Sequence, residues 1–157
     1  MDTKLLFVCL GNICRSPAAQ GIMERLIAEE RMENRISVDS AGTYGGHQGE
    51  LPDARMRAHA SRRGLTLTHR SRKVRPDDFE SFDFIVAMDD RNYQDLMNLA
   101  PDLESQDKIF RMTDFCDKPV FDHIPDPYYT GAEGFELVLD MLEDACRGLL
   151  RELKQRD

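Results

Sequence analysis

The sequence contains no tryptophan and no long run of apolar residues. A membrane-spanning helix needs about 20 apolar residues in succession, and no stretch of this chain approaches that length. The apolar run 5–10 near the N-terminus is too short for the core of a secretory signal, and Gly11 and Asn12 end it. We therefore expect a cytoplasmic protein that does not associate with a membrane.

Positive charge is also scarce. The chain has 29 acidic residues (Asp and Glu) against 21 basic residues (Lys and Arg), which gives a net charge of −8. General binding to nucleic acid or anionic lipid needs a basic face, so neither kind of partner is expected. A local pocket can still differ in sign from the whole molecule, and an anionic substrate is therefore not excluded.

Cysteine usage argues against two further classes of protein, disulfide-bonded secreted proteins and zinc-binding proteins. The four cysteines are Cys9, Cys14, Cys116 and Cys146. Because no feature of the chain indicates secretion, we expect free thiols in a reducing compartment. The spacings lack the close Cys and His pairs of a zinc site, and no G-x-x-x-x-G-K-[ST] nucleotide-binding pattern occurs. We therefore expect no metal and no cofactor.

The order of apolar patterns predicts the fold. Hydrophobic residues make up 41% and charged residues 32% of the 157 residues, as in one globular domain spanning 1–157. Short apolar runs alternate with segments of helical period, which predicts an α/β fold: a central four-stranded parallel sheet with helices on both faces. The expected strands are 4–9, 36–41, 84–88 and 108–112, and the expected helices are 17–32, 52–63, 90–99 and 135–153. The proline-containing stretch 113–134 is expected to be a loop.

Helix ends are predicted from their capping residues. Ser16 and Pro17 are typical of an N-cap and a first helical position. Gly64 suits the C-terminal end of the second helix, and Asp89 and Asp90 are expected to cap the helix that follows them.

The segment after Cys9 joins the first strand to the first helix, where α/β proteins place their ligand sites. Cys9 faces a helix N-terminus, whose partial positive charge favours an exposed thiolate. The short loop can curl so that its backbone N–H groups surround an anion, and Gly11 and Asn12 tolerate the positive φ that a curl requires.

Two side chains complete this predicted phosphate-binding loop. Arg15 offers a planar fork that matches two phosphate oxygens, and Ser16 can donate its hydroxyl proton toward the Cys9 sulfur. The predicted phosphate-binding residues are Leu10, Gly11, Asn12, Ile13, Cys14, Arg15 and Ser16.

The pattern Cys-x5-Arg-Ser-Pro near the N-terminus, with Asp126-Pro127-Tyr128-Tyr129 far downstream, resembles the low-molecular-weight protein tyrosine phosphatases. The stretch 39–43 and His69 are similar to further landmarks of that family, and the resemblance covers essentially the whole chain. It implies hydrolysis of phosphate monoesters, above all of protein phosphotyrosine or a small aryl phosphate. By analogy it also implies a partner tyrosine kinase.

The resemblance also implies the roles of the reacting groups. Cys9 would be the nucleophile and Arg15 the phosphate clamp. Asp126 would be the general acid for the leaving oxygen and then the general base for water. Tyr128 and Tyr129 would line the mouth through which the substrate enters.

The same resemblance implies a supporting set around the loop. Ser16 would stabilise the thiolate, and Asn12 would hold the loop in its strained shape, with Ser40 and His69 bonded to Asn12 or Ser16. Cys14 would be the neighbouring thiol that pairs with the nucleophile on oxidation.

The chain departs from the family pattern in one place. Relatives often carry a tryptophan in the loop 42–51 as one wall of the substrate slot, and this chain has none. His47 or Tyr44 is expected to replace that wall, or the slot is more open.

Three other functions fit parts of the pattern. A protein-arginine phosphatase resembles this family but tends to have Thr where this chain has Ile13. An arsenate reductase would need a relay of further cysteines, and Cys116 and Cys146 lie far apart in the sequence. A catalytically silent phosphate-binding module is the third, and it is disfavoured because Cys9, Arg15 and Asp126 are all retained.

Overall fold

The computed structural model describes residues 2–118 and 122–156. Its strands are β1 (Thr3–Cys9), β2 (Ile36–Gly42), β3 (Phe84–Ala87) and β4 (Ile109–Arg111). Its helices are α1 (Arg15–Glu29), α2 (Ala54–Ser61), α3 (Asp78–Ser81), α4 (Asp90–Leu99), α5 (Leu103–Gln106) and α6 (Ala132–Gln155). No helix in the described ranges is long and apolar enough to cross a membrane.

The four strands form one sheet in the order β2-β1-β3-β4, and every neighbouring pair is parallel. The predicted α/β fold with a central four-stranded parallel sheet is confirmed. From β1 the chain continues to β2 on one side, and β3 then pairs with the other side of β1. The carboxyl end of β1 therefore lies at the switch in strand order, where open α/β sheets bind their ligands.

The two faces of the sheet bury separate cores. Leu5 and Phe7 of β1 belong to a core with α1 and α6, whereas Leu6 and Val8 belong to a core with α3 and α4. All four side chains are fully buried. A strand covered on both faces has no polar side, which explains the unbroken apolar run in the sequence. The expected helices on both faces are confirmed.

The first helix differs from its prediction at both ends. It begins at Arg15 with Cys14 in the N-cap position, so Ser16 lies in the first turn and does not cap it. The prediction of Ser16 as the cap is wrong because its hydroxyl is held by side chains of the preceding loop. The helix stops at Glu29 rather than 32, since Arg31 has a left-handed φ of 57°.

The second helix is shorter than predicted. The Asp53 carboxylate accepts hydrogen bonds from the amides of Arg55 and Met56, and this cap sets the start of α2 at Ala54. Gly64 follows the helix with φ of 82°, as expected for a glycine at a helix end.

The region after β3 contains elements that the sequence did not predict. The short helix α5 begins after Asp102, whose carboxylate accepts from the amide of Ser105 at 2.8 Å. The predicted loop 113–134 holds 3-10 turns at Met112–Phe115 and Pro127–Tyr129 and the start of α6. Positions 119–121 of that predicted loop lie outside the described residues.

Candidate active site

The loop between β1 and α1 is tied to its surroundings through its carbonyl oxygens. The carbonyls of residues 10, 13 and 14 accept hydrogen bonds from the amides of Tyr44, Asp53 and Ala18, respectively. The carbonyl of residue 11 accepts from the hydroxyl of Ser71, and all four distances are 2.7–3.2 Å. In contrast, the backbone N–H groups of residues 11–14 donate to no protein acceptor in the described part of the chain. Because unpaired amides are costly away from water or a ligand, this arrangement fits a loop built to hold an anion.

Asn12 is the hub of the loop. Its φ is 57°, in the left-handed region, as the sequence predicted. Its Nδ2 donates to Ser16 Oγ at 2.7 Å and to Ser40 Oγ at 3.0 Å. Its Oδ1 accepts from His69 Nε2 at 2.9 Å and from the amide of Arg72 at 3.0 Å. The four bonds use the full hydrogen-bonding capacity of the amide and hold a strained backbone in place.

Of the two loop residues that tolerate a positive φ, Asn12 adopts one and Gly11 does not. What Gly11 provides is space, because a Cβ at this position would lie 3.0 Å from Cδ2 of His47.

The Cys9 sulfur lies 3.0 Å from the Ser16 hydroxyl. Ser16 Oγ already accepts a hydrogen bond from Asn12 Nδ2, so its own hydroxyl can donate to the sulfur. The prediction of an exposed Cys9 is wrong: only 2% of its surface is accessible. The residue ends a central strand, and the loop and α1 close over it, so that a reacting group must enter a cavity to reach the sulfur.

Arg15 is buried, with 2% exposure, and is held by groups from distant parts of the chain. Its Nη1 donates to Asp89 Oδ2 at 2.7 Å and to the carbonyl of Ile124 at 3.0 Å. Its Nη2 lies 3.6 Å from Asp126 Oδ2. Burial disfavours the charged guanidinium, but the negative charges of Cys9, Asp89 and Asp126 outweigh it, and the pKa of Arg15 is raised.

The sequence missed the contact of Asp89 with Arg15. Asp89 does cap α4, as predicted, by accepting from the amide of Asn92 at 2.8 Å through Oδ1. Its second oxygen, Oδ2, binds Arg15. Helix capping alone explains an aspartate at position 89, so no pattern in the sequence indicated that it would also bind Arg15.

Asp126 lines the same cavity as Cys9 and caps the start of a 3-10 turn. One carboxylate oxygen accepts from the amide of Tyr128 at 3.1 Å, and the other approaches Arg15. The Asp126 side chain is 40% exposed. It is therefore fixed in direction but open to solvent and to a bound molecule.

The cavity above Cys9 has a volume of about 240 Å³. Residues named from the sequence make up its walls: Cys9, Leu10, Gly11, Ile13, Cys14, Arg15, Tyr44, His47, Asp126, Tyr128 and Tyr129. Tyr44 and His47 meet edge to face with ring centroids 6.3 Å apart. Both line the same cavity.

Asp53 and Arg55, which the sequence analysis did not single out, connect two walls of the cavity. Asp53 donates its amide to the Ile13 carbonyl at 2.7 Å and binds Arg55 through its carboxylate at 3.0 Å. The Arg55 guanidinium lies over the Tyr128 ring at 5.2 Å and over the Phe135 ring at 4.9 Å. The pair therefore links the phosphate-binding loop to the tyrosine wall.

Burial shifts the pKa of two groups around the loop. It lowers the pKa of His69, and Arg72 acts in the same direction, against the opposing effect of Asp39. His69 is therefore neutral near pH 7, and its Nε2 carries the proton, since the Asn12 carbonyl oxygen can only accept. Burial, reinforced by nearby negative charges, raises the pKa of the Cys14 thiol far above its ordinary value.

The remaining cysteines lie outside the cavity. Cys146 is fully buried in α6, and Cys116 is partly exposed beside it. Across residues 2–118 and 122–156, no group of three or more His, Cys, Asp or Glu side chains is arranged to hold a metal ion.

Fold and site together define an α/β protein whose anion-binding loop begins at a buried cysteine and ends at a buried arginine. The family model described as low molecular weight phosphotyrosine protein phosphatase matches residues 4–157. The chain belongs to this family, as its resemblance predicted, and the prediction of a cysteine-dependent phosphatase is confirmed.

Individual relatives and solved structures are similar to this chain over almost its whole length. A putative low molecular weight protein-tyrosine-phosphatase of Synechocystis is 46% identical over 150 residues, which are 96% of each chain. The crystal structure of a protein tyrosine phosphatase from Entamoeba histolytica superposes with a TM-score of 0.95, at 45% identity over 98% of both chains. A Drosophila arginine phosphatase structure gives a TM-score of 0.92, at 32% identity over 99% of this chain and 100% of the other.

Proposed function

We propose that this protein hydrolyses phosphotyrosine in proteins through a phosphocysteine intermediate on Cys9. One observation carries the proposal: Cys9, Arg15 and Asp126 face a single cavity, and the loop between the first two leaves its amides free. The cavity thus offers a nucleophile, a phosphate clamp and a proton donor to one bound group.

In the first step the phosphate dianion binds between the loop amides and the Arg15 fork. The Cys9 thiolate, held by the Ser16 hydroxyl, attacks phosphorus, and an S–P bond forms as the bond to the tyrosine oxygen breaks. Asp126, protonated at this stage, gives its proton to the leaving oxygen. The amides and Arg15 hold the charge on the non-bridging oxygens throughout, so positive charge comes from the protein itself.

In the second step water cleaves the phosphocysteine. Asp126, now a carboxylate, takes a proton from the attacking water, and the S–P bond breaks to return the Cys9 thiolate and release inorganic phosphate. The exposure of Asp126 suits this double task, because water reaches it once the first product has left.

Depth and lining favour an aryl phosphate as substrate. The sulfur lies at the floor of a cavity with rings of Tyr44, His47, Tyr128 and Tyr129 at its rim. Cys9 is buried while Tyr44, Tyr128 and Tyr129 of the same lining are exposed, so a phosphotyrosine ring can pack against these outer rings as its phosphate enters. Ile13, an apolar wall of the same cavity, suits an aromatic ring better than the charged side chain of phosphoarginine.

A partner tyrosine kinase and a cytoplasmic location belong to the same proposal. A phosphotyrosine phosphatase needs an enzyme that supplies phosphotyrosine. The cysteines are free thiols, which fits a reducing compartment.

Oxidation is proposed to join Cys9 to Cys14. Peroxide would convert the Cys9 thiolate to a sulfenic acid, and the Cys14 sulfur would then form a disulfide with it and release water. The raised pKa of Cys14 keeps its thiol protonated, so we expect this capture to be slow. The test is recovery by dithiothreitol after peroxide in wild type and Cys14→Ser; equal recovery, with no Cys9–Cys14 link by mass spectrometry, would contradict it.

The proposed function is tested with p-nitrophenyl phosphate, a phosphotyrosine peptide and a phosphoarginine peptide, all in the presence of a chelator. We expect turnover of the first two, loss of turnover in Cys9→Ser, and retained phosphate binding in that variant. Turnover of Cys9→Ser near the wild-type rate would remove Cys9 as nucleophile. A preference for the phosphoarginine peptide would instead identify an arginine phosphatase. Binding of phosphate without turnover would identify a catalytically silent phosphate-binding module.

An arsenate reductase is disfavoured by the position of the other cysteines. Neither Cys116 nor Cys146 lines the cavity, and burial raises the pKa of the Cys116 thiol to about 11. A thiol relay needs thiolates that can reach the nucleophile.

A further inference from the structure

A second cavity adjoins the first across the substrate mouth. It has a volume of about 430 Å³ and shares Ile13, His47 and Tyr128 with the cavity above Cys9. Its other lining residues include Arg57 and Arg70. Because the two cavities share a wall, a peptide whose phosphotyrosine fills the first cavity can place a neighbouring residue in the second.

The acidic residues of this second cavity are already engaged. The Glu50 carboxylate is 2.9 Å from Nδ1 of His47. The Asp53 carboxylate binds Arg55 and the first amides of α2. Within the described ranges neither acid forms an ion pair with Arg57 or Arg70.

Arg57 and Arg70 are each held by one neutral acceptor. Arg57 Nε donates to the carbonyl of Pro52 at 2.9 Å, and Arg70 Nη1 donates to the carbonyl of Gly49 at 3.0 Å. Within the described ranges neither guanidinium forms an ion pair, whereas Arg15, Arg63 and Arg72 each pair with at least two carboxylates. A carbonyl orients a guanidinium without neutralising it, so both forks keep their charge and free N–H donors.

We propose that Arg57 and Arg70 bind the carboxylate of an Asp or Glu residue that lies close to the phosphotyrosine in the substrate. The inference rests on the proposed function and names its preferred peptides. A carboxylate is the planar, two-oxygen partner that a guanidinium fork matches. The net charge of −8 does not prevent this binding, because at physiological salt charges beyond about 8 Å are screened and the two nearby guanidinium groups dominate.

The test uses a set of phosphopeptides that differ at one position at a time. Each of the three residues before the phosphotyrosine and each of the three after it is replaced in turn by Glu, Gln or Lys. We expect wild type to prefer Glu over Gln by about 3- to 10-fold in kcat/KM at the best position, as two partly exposed ion pairs allow. The preference should shrink in high salt. In Arg57→Ala/Arg70→Ala the ratio should fall to about one, and Arg57→Lys/Arg70→Lys should keep part of it.

The matched control is Arg31→Ala/Arg147→Ala, which removes the same charge from outside both cavities and should keep the wild-type ratio. The inference is overturned if wild type shows no preference, if the preference survives in Arg57→Ala/Arg70→Ala, or if the control loses it equally. Hydrolysis of p-nitrophenyl phosphate separates the two levels. Turnover without a Glu preference overturns only this inference, whereas no turnover overturns the proposed function beneath it.

Discussion

Replacing Asp89 tests whether the buried arginine depends on a distant carboxylate. Asp89 makes two contacts: Oδ2 binds Arg15 at 2.7 Å, and Oδ1 caps α4 through the amide of Asn92. Loss of a cap costs about 1 kcal/mol. Leaving a buried charge without its partner costs about 3 kcal/mol or more, although Asp126 at 3.6 Å compensates part of it.

We therefore expect Asp89→Ala to lower the free energy of unfolding by about 3–4 kcal/mol. Asp89→Asn keeps a cap and an acceptor for Arg15 but removes the charge, and it should cost less, about 1–2 kcal/mol. Turnover should fall in both variants, because the guanidinium loses the group that orients it toward the phosphate.

The assay is urea unfolding of the two variants, with kcat/KM for p-nitrophenyl phosphate measured alongside. Asp102→Ala is the matched control, since Asp102 caps α5 through Ser105 but has no buried arginine to hold. It should cost clearly less stability than Asp89→Ala and leave turnover unchanged. If Asp89→Ala behaves like the Asp102 control, the ion pair with Arg15 contributes nothing measurable to stability or turnover, and the reasoning is refuted.

Three further predictions concern the walls and the support of the cavity. Asp126→Asn should lower kcat by about 10²–10⁴-fold for phenyl phosphate and much less for p-nitrophenyl phosphate, because a good leaving group needs no proton; equal losses would indicate a structural role. Arg55→Ala should raise KM for aryl phosphates about threefold with little change in kcat, since Tyr128 loses the cation that packs on its ring; a loss confined to kcat would contradict this. Because the pKa of His69 is lowered in the folded state, the unfolded chain binds the extra proton, and stability should fall as the pH drops below 6.5, the ordinary imidazole value. Urea titrations at several pH values should show a smaller acid loss in His69→Gln, and an identical pH dependence would refute this assignment.

Much of the fold depends on local sequence, and the sequence alone was enough to predict it. An apolar run followed by Gly11 and Asn12 and a helix start specifies a strand, a curled loop and a helix, since each depends on neighbours within a few residues. The spacing of Cys9 and Arg15 depends on the same loop. Asn12 has a left-handed φ, which asparagine tolerates better than most residue types.

Only the tertiary structure decided what surrounds that loop. Asp89 is 74 positions from Arg15, and Asp53 reaches the loop carbonyl from the start of α2. Each of these acids also caps a helix, and a cap accounts for an acid at a helix start by itself. The second contact leaves no periodic or spacing signal in the chain.

Burial of the reactive groups was likewise decided in three dimensions. The sequence predicted an exposed Cys9, but the central position of β1 and the cover of α1 leave it 2% accessible. A pattern of residue types reports which side chains prefer the interior, whereas the depth of a particular sulfur depends on which elements pack over it. The sequence therefore predicted which residues meet at this site, and the packing of distant segments determined how deeply Cys9 is buried and which carboxylates contact Arg15.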